Sequence, residues 1–214
     1  MGFDKLFALV SGKPVIAHTI AAFERTDCVD EIILVGRADS LGELRKIIGQ
    51  PTKVKQVVAG GAERSDSVRA GLDHLNPKSD FVAVHDAARP LVTPQQIDRV
   101  FEQCRIHGAA ALTEPINDTL KRADADLLVT DSVDRQELYA MQTPQIFERQ
   151  LIAEAYRAVY TKNVSVTDEV SAVERLGRKV ALVLNDDFNF KITYPRHLPL
   201  AEFVLTQRRK PVAN

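Results

Sequence analysis

This sequence predicts an α/β domain with a mostly parallel sheet and one protruding β-arm, on three observations. Short apolar segments rich in β-branched residues alternate with helix-length amphipathic segments along the chain, the order from which parallel sheets are built. The stretch 114–145 breaks that rhythm, alternating polar and apolar residues with no helical period before Glu137. Neither an internal repeat nor a low-complexity linker divides the 214 residues, so a single domain spanning 1–214 is expected.

The elements follow in order. Residues 14–25 place Ile16, Ile20 and Phe23 at i, i+4, i+7, one face of a helix. Buried strands are expected at 31–36 (EIILVG), 54–59 (VKQVVA) and 80–85 (DFVAVH), and the second runs through Gly60-Gly61 into a helix. Thr93-Pro94 supplies an N-cap residue followed by proline at the first helical position. The helix it opens carries Ile97, Val100, Phe101 and Cys104 at i, i+3, i+4, i+7, which puts the Cys104 thiol in the core. Further strands are expected at 108–113 (GAAALT) and 179–184 (KVALVL). Between them, 114–136 reads as a hairpin arm with Ala123-Asp124-Ala125-Asp126 at its turn. An isolated hairpin is marginal in water, so the arm needs another surface to lie on. Helices at 149–160, 168–176 and 199–207 complete the chain.

Composition narrows the function. The 28 Lys+Arg against 29 Asp+Glu leave a net charge of -1, so no bulk attraction to nucleic acid or an anionic membrane is expected. No apolar run approaches the ~18–20 residues a bilayer span needs. The opening MGFDKLFALVSGK does not read as a secretory signal. Cys28 and Cys104 form neither a CxxC pair nor a disulfide framework, and a reducing, cytoplasmic setting is expected.

Several catalytic signatures are tempting and fail. Ser11-Gly12-Lys13-Pro14 is no phosphate-binding P-loop, because Phe7 stands in place of the first glycine and Pro14 in place of Ser/Thr. No GxSxG elbow or HExxH pair is present, and no GxGxxG with a ribose-binding acid follows a predicted strand, which argues against a nicotinamide dehydrogenase. His18, His74, His85, His107 and His197 lack metal-ligand spacing, so no metal held by protein side chains is expected.

Three places look purposeful. Gly60-Gly61-Ala62-Glu63-Arg64-Ser65-Asp66-Ser67 joins a strand to a helix. Its glycines permit close backbone approach, and the helix start offers free N–H groups to an anion or a base edge; a simple capped turn reads equally well. Asp86 and Arg89, in Val84-His85-Asp86-Ala87-Ala88-Arg89-Pro90, stand at the carboxyl end of a strand, where open α/β sheets bind ligands. They supply one acid and one phosphate-matched cation, or merely a structural ion pair. The third group is dispersed over Asp4-Lys5, Thr119-Leu120-Lys121-Arg122, Asp134-Arg135, Thr167-Asp168-Glu169 and Asn189-Phe190-Lys191-Ile192-Thr193. Single charges of this kind usually belong to solvated faces, and Thr167-Asp168-Glu169 could be only a helix N-cap with an acidic first turn.

Taken in order, D-K-L, GG-x-E-R-x-D-S-V, V-H-D-A-A-R-P, I-x-D-T-L-K-R, V-D-R, T-P-Q-x-F, T-D-E and F-K-I-T resemble the 2-C-methyl-D-erythritol 4-phosphate cytidylyltransferases. The resemblance runs from Met1 to about Gln207, with H-D-A-A-R-P and the flanking GG-x-E-R its most distinctive part. It implies a Rossmann-like nucleotidyltransferase three-layer sandwich whose β-arm pairs two subunits into a homodimer. The implied reaction is transfer of CMP from CTP to a sugar-alcohol phosphate in non-mevalonate isoprenoid synthesis, with Mg2+ carried mainly by the CTP phosphates. By resemblance, Lys5 and Lys191 stabilise the reacting phosphates. Gly61, Arg64, Ser67 and Ala87 fall on CTP-binding positions. Asp86 and Arg89 fall on the acceptor side, and Thr119, Lys121 and Arg135 are arm residues reaching the acceptor in the neighbouring subunit. Ala62 departs from members that carry Asp there, so no carboxylate contact with the nucleotide is expected at that position.

Family members begin with a strand and a glycine-rich loop ending in Arg-Met-Gly, ahead of the lysine that Lys5 matches. This chain opens at Met1-Gly2-Phe3-Asp4-Lys5, so the resemblance carries the expectation that the natural protein is longer, its extra strand lying in the middle of the sheet. Two rival readings stay open: the same chemistry on ribitol 5-phosphate, whose cytidylyltransferases share most of these segments, and an inactive relic that only binds or dimerises.

Overall fold

The computed structural model describes residues 4–50, 52–162 and 164–210. Met1, Gly2 and Phe3, on which the expectation of an upstream strand and loop rests, lie outside the described residues.

The chain opens with a small hairpin, β1 (Leu9–Val10) and β2 (Lys13–Pro14). Its turn residues Ser11 and Gly12 both have positive φ, 48° and 76°, as the turn type that matches strand twist requires. The Ser-Gly-Lys-Pro segment is therefore a turn and no phosphate loop. Helix α1 (Val15–Glu24) follows, burying Ile16 and Phe23 from the expected face. Strand β3 (Ile32–Gly36) leads through helix α2 (Leu41–Ile47) to β4 (Val54–Ala59), which pairs in parallel with β3. The sequence pattern had shown no α2. A Cβ on Gly36 would stand 2.4 Å from Leu44 Cδ1, so the glycine is what lets α2 close onto its strand.

Helix α3 (Arg64–Leu72) and strand β5 (Phe81–Val84) come next. Helix α4 (Pro94–His107) starts where Thr93-Pro94 predicted. Thr93 Oγ1 accepts from the Gln96 amide at 3.2 Å, and the Thr93 amide donates to Gln96 Oε1 at 2.9 Å, a reciprocal cap. The helix stops at Gly108, φ 79°, a left-handed end that glycine adopts without strain. Strands β6 (Ala109–Pro115), β7 (Leu120–Ala123), β8 (Val129–Val133) and β9 (Tyr139–Glu148) follow. Helices α5 (Arg149–Thr161) and α6 (Glu169–Glu174), strand β10 (Ala181–Leu184) and helix α7 (His197–Arg209) end the fold.

The principal sheet has the order β10-β6-β9-β5. Period-two alternation divides β6 between two layers. Ala109 and Ala111 pack with Phe147, Leu151, Ile152 and Ala155 on the α5–α6 side, whereas Ala110 and Leu112 meet Val100 and Cys104 of α4 on the other. Cys104 is fully buried, as its helical spacing indicated.

The expected α/β sandwich is present, with one correction: the sheet is mixed rather than mostly parallel. Strand β10 runs parallel to β6, but β9 is antiparallel to both β6 and β5. The chain leaves the sheet along β6, reverses in the arm and returns along β9, so β9 must run against β6. As a strand β9 had escaped notice, because Gln142, Thr143, Pro144 and Gln145 interrupt its apolar pattern. Pro144 is tolerated because the ladder shifts register there, between the Ala111–Gln145 and Thr113–Met141 pairs.

The arm proper is the hairpin β7–β8, which falls within the predicted 114–136 and turns close to Asp124. Its base is continuous with the sheet, Glu114 and Pro115 pairing with Ala140 and Tyr139. At its tip Leu127, Leu128 and Val129 are 85%, 65% and 66% exposed.

Strands β3 and β5 belong to separate sheets. They line the two sides of an open cavity of about 570 Å³, with Ile33, Val35, Val82 and Val84 among its walls. At its carboxyl end this cavity reaches Arg64, Asp86 and Ala87.

Candidate active site

The loop after β5 centres the site. Asp86 is turned back on itself by the Arg89 amide, which donates to the Asp86 carbonyl at 3.0 Å. Its own amide donates to Thr143 Oγ1 at 3.0 Å. That hydroxyl lies 3.1 Å from His85 Nδ1, and His85 Nε2 lies 3.4 Å from the Arg89 carbonyl. The bonds are mutually consistent if His85 is neutral and carries its proton on Nε2. Burial pushes the His85 pKa down to about 4, against the pull of the Arg89 carbonyl and of Asp86, so the ring is neutral at physiological pH.

Three cations surround the Asp86 carboxylate, which is 16% exposed. Lys191 Nζ stands 3.0 Å from Oδ2, Arg89 Nε 3.5 Å from Oδ2 and Arg64 Nε 3.8 Å from Oδ1. Burial raises the Asp86 pKa, but Lys191, then Arg89 and Arg64, outweigh it and hold the carboxyl below the usual range. Burial likewise lowers the Arg89 pKa, opposed by Asp86. A half-exposed lysine, a largely covered arginine and a carboxylate at the end of a strand form a patch suited to polyanions.

Lys191 reaches Asp86 from a distant part of the sequence because hydrogen bonds tie its segment to the 86–89 loop. The Ile192 amide donates to the Ala88 carbonyl at 2.8 Å, and Arg89 Nη1 donates to the Asn189 carbonyl at 2.8 Å. Asn189 Nδ2 in turn donates to the Thr143 carbonyl at 2.9 Å and to Gln142 Oε1 at 3.0 Å. Gln145 donates to Asp168 Oδ2 at 2.9 Å and accepts from the Val170 amide at 3.1 Å. These buried amides explain the T-P-Q segment, which sequence reasoning quoted without assigning it a role. A polar run inside a strand is the signal that could have found it.

Arg64 opens α3 and is gripped from behind by Glu169, which is fully buried. Arg64 Nη1 and Nη2 donate to Glu169 Oε1 and Oε2 at 2.5 and 2.7 Å, and the Tyr156 hydroxyl donates to Oε1 at 2.8 Å. Burial acts to lower the Arg64 pKa, yet Glu169 and then Asp86 raise it. Burial and then Glu169 raise that of Tyr156. Glu169 is thus a buried charge partner and not a solvated first-turn acid.

The glycine turn is packed hard against α3. A Cβ on Gly60 would come 2.4 Å from Ser67 Oγ, and one on Gly61 2.3 Å from Asp66 Cβ. The Glu63 amide donates to Asp66 Oδ2 at 3.0 Å, so the helix start is capped as well as close to the cavity. Ser67 and Ala87 line the cavity between β3 and β5, and the Ala87 carbonyl accepts from Thr19 Oγ1 at 2.9 Å.

A second cavity, of about 460 Å³, is walled by Arg64, Asp86, Arg89 and Lys191 together with Gln142, Thr143, Thr167 and Asp168. Arg64 and Asp86 belong to the walls of both cavities. Arg64, Asp86, Arg89 and Lys191 are therefore brought together, with Ser67 and Ala87 on one side. Lys5 is not. It lies in the turn beside Asp4, whose carboxylate pairs with Arg37 at 3.3 Å, and among the described residues no ion pair joins it to Asp86. Thr119, Lys121 and Arg135 are exposed on or near the arm. Lys121 donates to Ser132 Oγ at 2.5 Å and Arg135 to the Asn117 carbonyl, and none of the three lines the cavity at Asp86.

Among the described residues no group of three or more His, Cys, Asp or Glu could hold a metal ion. Asp86 is already surrounded by cations, which disfavours a metal on its oxygens. No helix of the described residues is long and apolar enough to cross a membrane.

A sequence model of the 2-C-methyl-D-erythritol 4-phosphate cytidylyltransferase family matches residues 1–207. A protein of that name from Halalkalibacterium halodurans is 38% identical over 211 residues, covering 98% of this chain and 92% of its own length. Another from Syntrophus aciditrophicus is 39% identical, covering 94% of this chain and 87% of its own. Among solved structures, the Thermus thermophilus 2-C-methyl-D-erythritol 4-phosphate cytidylyltransferase superposes with a TM-score of 0.82 at 31% identity, over 94% of each chain. The 4-diphosphocytidyl-2C-methyl-D-erythritol synthase of Anaerococcus prevotii gives a TM-score of 0.84 at 30% identity, over 92% of this chain and 88% of that one. On sequence and on fold alike, the chain belongs to the 2-C-methyl-D-erythritol 4-phosphate cytidylyltransferase family.

Proposed function

We propose that this chain performs its family's reaction, transfer of CMP from CTP to 2-C-methyl-D-erythritol 4-phosphate, at the charged cluster around Asp86. The phosphate oxygen of the acceptor attacks the α-phosphorus of CTP. A new P–O bond forms as the bond to the leaving pyrophosphate breaks, and the pyrophosphate carries that electron pair away. Two polyanions must meet for this to happen, so positioning and fixed positive charge supply most of the rate.

The observation that carries this reading is the convergence of Lys191, Arg89 and Arg64 within 3.8 Å of one carboxylate. Lys191 neutralises charge that grows during transfer. Arg64, with Gly61, Ser67 and Ala87, holds CTP at the carboxyl end of the first cavity. Asp86 accepts hydrogen bonds from hydroxyls of the sugar alcohol, and Arg89 keeps that carboxylate ionised and oriented. Lys5 lines neither cavity and has no part in this arrangement.

Mg2+ carried on the CTP phosphates would neutralise part of the triphosphate charge, with Arg64 and Lys191 beside it as the chain's own cations. The arm supplies Thr119, Lys121 and Arg135 to the acceptor site of a second copy. Its exposed apolar tip and solvated cations support this homodimer, since such a hairpin needs a surface to lie on. Both substrates are charged, water-soluble phosphates, and a cytoplasmic location is proposed with them.

The relatives described above carry the methylerythritol name, which favours that acceptor over ribitol 5-phosphate. The test is pyrophosphate release from CTP and Mg2+ with each acceptor in turn. Release with 2-C-methyl-D-erythritol 4-phosphate and little with ribitol 5-phosphate is expected. The reverse preference, or release with neither, overturns the assignment.

A further inference from the structure

Glu169 is the one fully buried carboxylate among the described residues, and the reaction as drawn makes no use of it. An ionised carboxylate removed from water is costly unless it is paired and its remaining lone pairs are filled. Here both requirements are met. The Arg64 fork takes one bond to each oxygen, and the Tyr156 hydroxyl takes a further bond to Oε1. The three partners come from separate elements: Arg64 from the start of α3, Tyr156 from α5 and Glu169 from the start of α6.

The geometry constrains what Arg64 can do. A guanidinium has five N–H donors in a rigid plane. Two are taken by Glu169, one from each Nη. Nε, at 3.8 Å from Asp86, is close enough for attraction and too far for a hydrogen bond. The remaining donors lie on a side chain that is 37% exposed and lines both cavities. A bidentate pair fixes the plane of an arginine as well as its position.

We propose that Glu169 is a positioning residue for the nucleotide: it clamps the Arg64 guanidinium from the buried side, so that its free donors face the phosphates or base of CTP before the nucleotide arrives. Sequence reasoning had left Glu169 as a helix-start acid. The proposal rests on the reading of Arg64 as a CTP ligand, and the two are separable by experiment. Orienting one charged donor in advance acts on the bound ground state, so its loss appears in KM for CTP more than in kcat.

The experiment is a cycle of Glu169→Gln, Arg64→Ala and the double variant, with kcat and KM for CTP measured at saturating acceptor. Arg64→Ala tests the underlying reading: a rise in the KM for CTP of about tenfold or more supports it, and an unchanged KM refutes it whatever Glu169 does. Given that rise, Glu169→Gln is expected to raise the KM about tenfold with kcat within about threefold, and to add less than about twofold in the Arg64→Ala background. An unchanged KM in Glu169→Gln, or an equal fold-effect in both backgrounds, overturns the proposal. Val173→Ala, a cavity in the same short helix, separates positioning from stability. It should lower the Tm while leaving the KM for CTP in place, and a matching rise in KM at equal Tm loss also overturns the proposal. If Glu169→Gln does not fold, Glu169→Asp is read by the same criteria, since it keeps the charge and withdraws the fork by one methylene.

Discussion

The cluster at Asp86 and the β-arm carry the same kinds of side chain in opposite conditions. Around Asp86, Arg64, Arg89 and Lys191 converge on one carboxylate, and Arg89 is only 11% exposed. On the arm, Thr119, Lys121 and Arg135 are exposed, Lys121 bonding to Ser132 and Arg135 to the Asn117 carbonyl. The difference lies in what surrounds them. The cluster sits where β5, β9, α3, α6 and the segment before α7 meet, so five parts of the fold have already fixed its donors. The arm projects beyond the sheet and offers the same chemistry without a built environment. A charge is preorganised for catalysis only when other groups restrain it in advance; the arm's charges acquire that restraint on meeting another surface.

Lys191→Ala should have the largest effect and sharpens the comparison most. Removing one placed cation from a phosphoryl-transfer site costs roughly 100- to 1000-fold in kcat, with the KM for CTP changed far less. Equal losses in kcat and in CTP affinity would reduce Lys191 to a binding group. Asp86→Ala comes next. It leaves Lys191 and Arg89 without their anion, while Arg64 keeps Glu169, and breaking such a partly buried set is expected to cost on the order of 3 kcal/mol in urea unfolding. The KM for the acceptor should rise as well.

Complementation tests whether arm and cluster act across two copies. Mixing Arg135→Ala and Lys191→Ala chains under subunit exchange should restore roughly a quarter of wild-type activity, since half the dimers are mixed and each has one intact site. No recovery in a mixture shown to exchange would place the arm residues in their own chain's site. A pH effect of similar size in free energy centres on His85, at the edge of the cluster. His85 has a folded pKa of about 4 against an ordinary value near 6.5. Below pH 6.5 the unfolded chain therefore binds a proton that the folded one refuses. Stability falls as pH drops from about 6.5 toward 4, by on the order of 3 kcal/mol, then levels as the folded ring protonates. Asp86, whose pKa is lowered, adds a further loss below about pH 4 as the folded carboxylate finally protonates. Urea melts of wild type and His85→Gln across that range check this, the variant keeping only the shallower slope due to His18, whose pKa burial also lowers. The smallest effect should come from Lys121→Ala, within about 0.5 kcal/mol of wild-type stability, with its consequence confined to the acceptor KM.

Much of the architecture was legible because it depends on local pattern. The Thr93-Pro94 cap, the i, i+3, i+4, i+7 spacing that buries Cys104, and the aliphatic run at β6 each involve neighbours within a few residues. Strand β9 was not legible, because its glutamines and Thr143 look like surface until the segments around Asn189 and Asp168 arrive to satisfy them. The short helix α2 escaped for a related reason: only Leu44 is buried, and the glycine that admits it lies in the preceding strand. In the site, the resemblance located Arg64, Asp86, Arg89 and Lys191, and residue type alone pointed to phosphate chemistry. The partnership of Glu169 with Arg64 spans 105 positions and has no local signature.

What the sequence determined by itself is the alternation of strands and helices outside β9 and α2, the Thr93-Pro94 helix start, the arm and the family, since each is written in residues close together or in a linear series of motifs. What only the tertiary structure decided is the direction of β9, the burial of Glu169 and the separation of the arm cations from Asp86. Those depend on which distant side chains share a low-dielectric space, where a few ångströms change a charge from solvated to costly or paired.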